Sequence, residues 1–361
     1  MSYTIELDDT VTITLTVTNK NQEKHTVELD CHCINQKSMV AREKVESAKI
    51  TLKNPKTHWY HQLMALKNSL SPLKTAVVHP VDELSLKGAI GSAEAGLIIP
   101  ILVGPKQKII DAAGAAQVDI TPYQIISTAH STEAAEVAVK MAKTLQVDAL
   151  MKGKLHTDEL MKPILDKENG LRTGRRMSHV FSLEVPNYPK PLFLTDAALN
   201  LFPNLQEKQD IVQNAIDLFR ALGLGTPKVA ILSAVETVNE KIPSTLDATA
   251  LCKMAERGQI TGGILDGPLA FDNAISSESA RVKGLFSPVA GNADILVVPD
   301  VESGNMLYKQ MTYLSGIEAA GIVLGATVPI ILTSRGSDEL SRKASCAMAL
   351  LYVRREDDGV K

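Results

Sequence analysis

Apolar and polar positions alternate with a period of two at the start of the chain. Val11, Ile13, Leu15 and Val17 interleave with threonines, and Val27, Leu29, Cys31 and Cys33 repeat the pattern. Successive strand side chains point to opposite faces, so this spacing predicts a small three-stranded antiparallel sheet running to about Ile50. Asn54 and Pro55 break the alternation, and 57–69 predicts a short connecting helix.

From about Lys74 the texture changes to strand, loop and helix in turn. Short apolar runs fall at 75–78, 97–103, 124–127, 149–151, 191–195, 228–232, 294–298 and 329–333. Helical periodicity fills 131–145, 207–222 and 244–257, the last with Ser244 at the expected N-cap and Gly258 as its stop. Strands alternating with helices predict parallel sheets covered by helices, and such sheets bind ligands beyond the carboxyl ends of their strands. No internal repeat and no low-complexity segment interrupts this order.

Three loops at those ends carry chemistry. The first, MKGKLHTDELMKP at 151–163, follows a strand and opens a helix. Lys152, Lys154 and Lys162 beside a helix N-terminus suit an anion, although a solvated lysine face reads equally well. The second, GLRTGRRMSH at 170–179, sets Arg172, Arg175 and Arg176 among glycines, as a phosphate or pyrophosphate site requires. A plain arginine-rich linker would look the same. The third, PIILTSRGSD at 329–338, presents a hydroxyl, a guanidinium and a carboxylate at a strand end. No histidine stands beside Ser334, which argues against a Ser-His-Asp hydrolase.

Composition narrows the classes. At 361 residues with 45% hydrophobic content the chain can bury two domain cores. A net charge of −3 and 4% aromatics speak against a nucleic-acid partner. No apolar run reaches the ~18 residues of a membrane span, and the N-terminus lacks the pattern of a signal peptide. Four cysteines in so long a chain imply a reduced, cytoplasmic protein. The glycine-rich GAIGSAEAG at 88–96 has the wrong spacing for a dinucleotide fingerprint. Cys31 and Cys33 share one face of a strand and have no second ligand pair, so buried thiols are expected there and no metal.

Taken together the loops resemble the phosphate acetyl/butyryltransferase family. The likeness runs in one register from about His79 to Leu350. It is carried by LMKG at 150–153, DKENGLRTGR at 166–175, LTDAA at 194–198, AVETVN at 234–239, DGPL at 266–269, SPVAG at 287–291, VPD at 298–300 and LTSR at 332–335. The flavour is that of the butyryl branch and of the transacylase half of enoyl-CoA hydratase/phosphate acetyltransferase fusions. The opening strands look like the tail of a hot-dog domain, too short to be complete, and no hydratase activity is expected.

The resemblance implies an α/β fold of two doubly wound Rossmann-like domains with an interdomain cleft, preceded by the antiparallel segment at 1–54. The first domain would take 55–175 plus 312–361, and the second 176–311. It implies a homodimer acting on small molecules: coenzyme A as substrate, acyl phosphate and phosphate, with no permanently bound cofactor and no catalytic metal. Thiolate would attack the acyl phosphate directly. Ser334 would donate to the reacting centre and Arg335 would hold phosphate. Lys162 falls where the acetyl branch has an arginine, so it keeps charge but loses the bidentate fork. A further arginine of the family's first domain has no counterpart here. Asp338 is the candidate thiol base, with Glu339 as competitor, since the acetyl branch places its base a few residues further on. The alternatives are a nicotinamide-dependent dehydrogenase of the isocitrate/isopropylmalate type, which needs a metal-binding aspartate cluster, and a non-catalytic CoA-binding relative.

Overall fold

The alternating stretch at the start of the chain does form strands. The computed structural model describes residues 11–21, 26–35, 40–41, 50–51, 58–67, 70–186, 188–333 and 338–357. Two units emerge, Met1–Lys56 and Thr57–Lys361. In the first, β1 (Val11–Asn21) and β2 (Thr26–Asn35) pair antiparallel, with Ile13 opposite Cys33 and Leu15 opposite Cys31. Two short strands, β3 (Val40–Ala41) and β4 (Ile50–Thr51), both pair with β2, so the sheet has four strands where the spacing predicts three. At two residues each they are too short to show a period.

The second unit opens with α1 (His58–Leu66), the connecting helix. There follow β5 (Leu73–Val78), α2 (Glu83–Glu94), β6 (Ile98–Gly104), α3 (Lys106–Ala116), β7 (Ile125–Ser127), α4 (Ser131–Lys143), β8 (Ala149–Lys152) and α5 (Thr157–Ile164). The chain continues through β9 (Ser178–Glu184), β10 (Leu192–Thr195), α6 (Leu205–Ala221), β11 (Lys228–Leu232), α7 (Pro243–Glu256), β12 (Ile264–Leu269), α8 (Phe271–Ile275), α9 (Ser277–Val282), β13 (Ile295–Val297) and α10 (Val301–Leu314). It ends with β14 (Glu318–Leu324), β15 (Ile330–Ile331) and α11 (Glu339–Asp357).

All the strands of this unit form one sheet in the order β12-β11-β13-β10-β9-β14-β15-β8-β5-β6-β7. The predicted parallel arrangement is present twice, as β12-β11-β13-β10 and as β15-β8-β5-β6-β7. Between the two sets lie three antiparallel pairings, β10 with β9, β9 with β14 and β14 with β15. Three reversals leave the parallel sets running in opposite directions, so their carboxyl ends face opposite ends of the sheet.

The joining strands β9 and β14, and β12 at the sheet edge, are not legible in the hydrophobic pattern. β9 buries Ser178, His179 and Ser182, β14 begins with Glu-Ala-Ala-Gly, and β12 contains Asp266, Gly267 and Pro268. One cap also differs from expectation. α7 is capped at Ile242 with Pro243 as its first residue, and Ser244 instead places its Oγ 2.8 Å from that of Ser233. Proline suits a first helical position because its missing N–H would be unpaired there anyway. Gly258, at φ 74°, ends the helix as predicted.

α11 is the element that ties core to site. Its middle, from Cys346 to Leu351, is completely buried, and it packs against α2, β14, α6 and α1. A helix apolar all round must be covered on every side. Each fully buried leucine or methionine contributes ~1.5–3 kcal/mol, which fixes the helix and the direction in which its N-terminus points.

Candidate active site

Strands β15, β8 and β5 lie side by side and parallel, so the loops that follow them open at one end of the sheet. Those loops feed the N-termini of α11, α5 and α2. A cavity of about 290 Å³ lies there, lined by Asp82, Ser85, the 152–156 loop, Glu159, Thr333 and Arg342. The chain meets this end of the sheet through backbone bonds that extend the ladder. Gly153 N–H donates to the Val78 carbonyl at 2.9 Å, and Lys154 N–H to that of His79 at 2.9 Å. His79 returns its Nδ1–H to the Lys154 carbonyl at 2.7 Å.

The lining carboxylates Asp82 and Glu159, and Asp338 at the start of α11, serve helix caps. Asp82 caps α2, accepting the Ser85 backbone N–H at 2.8 Å and its hydroxyl at 2.5 Å. Burial pushes its carboxyl up, but the Ser85 hydrogen bonds and the charges of Lys154 and Arg342 outweigh it and leave the pKa below the ordinary aspartate value. Glu159 accepts the His156 N–H at 2.8 Å and the Ser131 hydroxyl at 2.9 Å, which likewise holds it below its usual range. Asp338 accepts the Ser341 N–H at 2.8 Å at the start of α11.

Two cations in the lining are buried. Lys152 is 5% exposed and Arg342 4%. The Arg342 Nε has no hydrogen-bond partner among the described residues. Burial draws its guanidinium below the ordinary arginine value, against the pull of Asp82, Cys346 and Asp338. The lining carries Lys152, Lys154 and Arg342 against Asp82 and Glu159, and the N-termini of α2 and α5 add partial positive charge, a combination that suits an anion.

One residue before Thr333, the cavity lining is tied to His179 of β9, which is fully buried. Its Nε2–H donates to the Leu332 carbonyl at 3.0 Å, and its Nδ1 has no partner among the described residues. Leu332 directly precedes Thr333, so this bond holds the exit of β15. Room for the ring comes from Gly321 of β14, where a Cβ would lie 2.3 Å from the imidazole Cε1. Burial lowers the His179 pKa from 6.5 to about 4, the Leu332 bond opposing it.

The residues singled out in the sequence are distributed unevenly about this cavity. Lys152 lines it. Thr333 lines it too and is followed by Ser334 and Arg335, which lie outside the described residues. Asp338 is exposed and acts as a cap, and Glu339 pairs with Lys343 at 2.6 Å. Lys162 is exposed in the last turn of α5 and does not line the cavity.

The arginine loop lies elsewhere. Arg172 is exposed and bridges Ala326, ahead of β15 and therefore at the amino end of its parallel set. Arg175 pairs with Asp217 at 2.5 Å and Arg176 with Glu207 at 3.0 Å, both on α6. Arg175 lines a second cavity of about 550 Å³ together with Asp217, Gln213 and Arg220. Arg176 is further held by Asn200, which itself donates to the buried Asp196.

Arg342, Asp82 and Glu159 were not singled out by sequence reasoning. For Arg342 a signal exists: it sits at helical spacing from Cys346 and Ala349, a lone charge in an apolar stripe. Arginine is almost never buried without a counter-charge or a purpose.

An α/β sheet whose strand ends and helix N-termini enclose buried cations is an arrangement in which such folds bind anionic ligands at strand carboxyl ends. Residues 127–349 match the family model described as "Phosphate acetyl/butaryl transferase", and the chain belongs to that family. It is 58% identical over 296 residues to the phosphate acetyltransferase of Rhizobium meliloti, spanning 82% of this chain and 94% of that one. It is 40% identical over 294 residues to the phosphate butyryltransferase of Clostridium acetobutylicum, spanning 81% and 98%. Among solved structures, a branched-chain phosphotransacylase from Enterococcus faecalis superposes with a TM-score of 0.67 at 29% identity, covering 78% of this chain and 99% of that one. The dehydrogenase alternative gains no support from these relatives.

Proposed function

We propose that the protein is a phosphotransacylase, which transfers a short-chain acyl group reversibly between acyl phosphate and coenzyme A. The observation that carries this reading is the cavity with buried Lys152 and Arg342, lined by the residue that immediately precedes Ser334 and Arg335. In the direction of thioester synthesis the CoA sulfur attacks the acyl carbon, the carbonyl becomes an oxyanion, and the carbon–oxygen bond to phosphate then breaks. The thiol proton goes to a base and the bond electrons leave with phosphate. Preorganised cations and helix N–H groups favour both developing negative charges.

In this reading Ser334 donates to the reacting carbonyl oxygen, Arg335 grips phosphate and Lys152 adds charge behind it. A CoA thiol has a pKa of roughly 8.5, so a base raises its thiolate fraction at neutral pH. Asp338 is assigned that role, sharing it with the cap its Oδ1 provides. Lys162 and Arg172, both exposed, are assigned to CoA phosphates. Arg175 and Arg176 would join them by sharing the ion pairs they make with Asp217 and Glu207. No metal and no permanently bound cofactor enters the scheme.

The two parallel sets of strands support a division into a first domain, 55–175 plus 312–361, whose residues line the cavity, and a second, 176–311. Exposed Phe286, Met306, Tyr313 and Leu314 offer an apolar surface in the second half, and we infer a homodimer in the cytoplasm. No helix among the described residues is long and apolar enough to cross a membrane. The higher identity to an acetyltransferase favours acetyl over butyryl. Thioester absorbance with acetyl, propionyl and butyryl phosphate tests the reading. CoA binding without thioester formation from any of them would overturn it in favour of a non-catalytic relative.

A further inference from the structure

We propose that Arg342 is a substrate residue: with Lys152 it receives the phosphate group of the acyl phosphate, and Gly88 is the residue that lets it reach the cavity. The inference rests on the phosphotransacylase reading and adds a contact that the family motifs at 332–335 do not contain.

Arg342 belongs to the first turn of α11, yet it points into the protein, not away from it. Its stem lies across α2, where a Cβ on Gly88 would stand 2.3 Å from the Arg342 Cδ and 3.3 Å from its Cβ and Cγ. Any side chain at position 88 would therefore displace the arginine. The same run places Gly91 against Glu339 and Lys343, within 2.6 Å and 2.8 Å of where its Cβ would be. The glycine-rich stretch at 88–96, which has the wrong spacing for a dinucleotide, is thus a close crossing of α2 and α11 that brings a guanidinium to the cavity.

Asp82 and Asp338 attract that guanidinium, but among the described residues neither makes a hydrogen bond or ion pair with it. Asp82 gives Oδ1 to Ser85 and lies 4.0 Å from the Lys154 Nζ by its Oδ2. Glu159 serves His156 and Ser131, and the Asp338 Oδ1 serves Ser341. Arg342 is 4% exposed, and its Nε is unbonded among the described residues. A buried charge with an unmade hydrogen bond is costly unless an anion completes it. A planar fork beside a lysine point charge matches the oxygens of a phosphate dianion.

Three variants test this: Arg342→Met, which keeps the stem without donors, Arg342→Lys, and Gly88→Ala. Calorimetry with inorganic phosphate gives a dissociation constant that needs no turnover. Kinetics in the direction that consumes phosphate gives separate KM values for phosphate and acyl-CoA. Arg342→Met is expected to weaken phosphate by ~10–100-fold in both measurements, with KM for acyl-CoA within about twofold. Arg342→Lys should recover part of the loss, and Gly88→Ala should reproduce it in milder form. A folded Arg342→Met that binds phosphate like the wild type overturns the inference, as does an equal loss for phosphate and acyl-CoA. Should Arg342→Met not fold, unchanged phosphate affinity in Gly88→Ala overturns it instead. If the wild type binds phosphate through Arg342 but forms no acyl phosphate, the phosphotransacylase reading fails and the contact stands.

Discussion

Acidifying the protein should expose the cost of keeping His179 neutral. The ring is fully buried among Phe181, Gly321 and the end of β15, and burial lowers its pKa from 6.5 to about 4. In the unfolded chain it takes up a proton as pH falls through 6.5, while the folded chain refuses that proton until about 4. Between those values the unfolded state binds more protons, so stability rises with pH and is lost on acidification. The slope is about 1.4 kcal/mol per pH unit, and integrating from about pH 7.5 to about pH 4.5 gives a loss of roughly 2.5 kcal/mol from this one residue. Other groups titrate over the same range, so the measurement is a difference. Urea unfolding of wild type and His179→Gln, at both pH values and equal protein concentration, cancels them. Glutamine can still donate to the Leu332 carbonyl but cannot titrate. The variant should lose less stability on acidification by about that amount, whatever its own starting stability. Nitrogen-labelled histidine spectra should show the His179 ring unprotonated at about pH 5. Equal losses in the two proteins, or a ring that titrates near its ordinary value, would refute the reasoning.

Other expectations concern the proposed chemistry directly. Arg335→Ala should lower kcat by on the order of a hundredfold or more, and Arg335→Lys should recover little, since a point charge does not replace the fork; a kcat within about twofold in a folded variant would remove Arg335 from the site. Asp338→Asn keeps a residue able to cap α11 but removes a base, so kcat should fall ~10²–10⁴-fold near neutral pH, with a deficit that shrinks toward the thiol pKa of roughly 8.5. Asp338→Ala should further cost ~1 kcal/mol of stability for the lost cap, and normal kinetics in both variants would leave the cap as its whole role. Burial raises the Cys252 thiol to about 12 and the Cys346 thiol to about 11. Peptide mapping after alkylation of the folded enzyme in mild alkali should therefore find both unmodified, and rapid labelling of Cys346 would contradict its placement.

The sequence revealed the parts of this protein whose residues agree with their surroundings. Runs such as 228–232 are apolar because both faces of β11 are covered, and the structure reproduces that strand at the same residues, Lys228–Leu232. Helices with polar outer faces were legible for the same reason, α6 as 207–222, although the helix itself begins two residues earlier, after the Asn204–Glu207 capping box. β9 was hidden because it buries polar side chains, each bonded to a tertiary partner far along the chain. His179 needs Leu332, Ser182 takes Trp59, and Ser178 takes Asn214. No local pattern announces a serine that is buried because a residue more than thirty positions away bonds to it. The site divides likewise. Lys152 and the approach to Ser334 follow from loops after strands, whereas Arg342 shows in the sequence only as one charge at helical spacing from Cys346 and Ala349, and its place at the cavity emerges once α2 and α11 are packed together.

That packing has a consequence for how the site is maintained. The cavity's cations and caps are carried by elements that reach it from the core: Lys152 at the end of β8, Thr333 just past β15, and Arg342 with Asp338 at the start of α11. None of these positions is set by a surface loop alone. α11 is oriented by the completely buried segment from Cys346 to Leu351, and the exit of β15 by the His179 bond to Leu332. A shift of α11 on α2 moves the guanidinium and the Asp338 cap together, and close crossings through glycine leave little slack for such a shift. Catalytic geometry is sensitive to displacements of about 1 Å, so substitutions that only repack this helix act on the chemistry without touching the substrate. If phosphate binds where we propose, the glycine at 88 and the histidine at 179 serve the site as well as the fold: Gly88 leaves room for Arg342, and His179 holds the exit of β15.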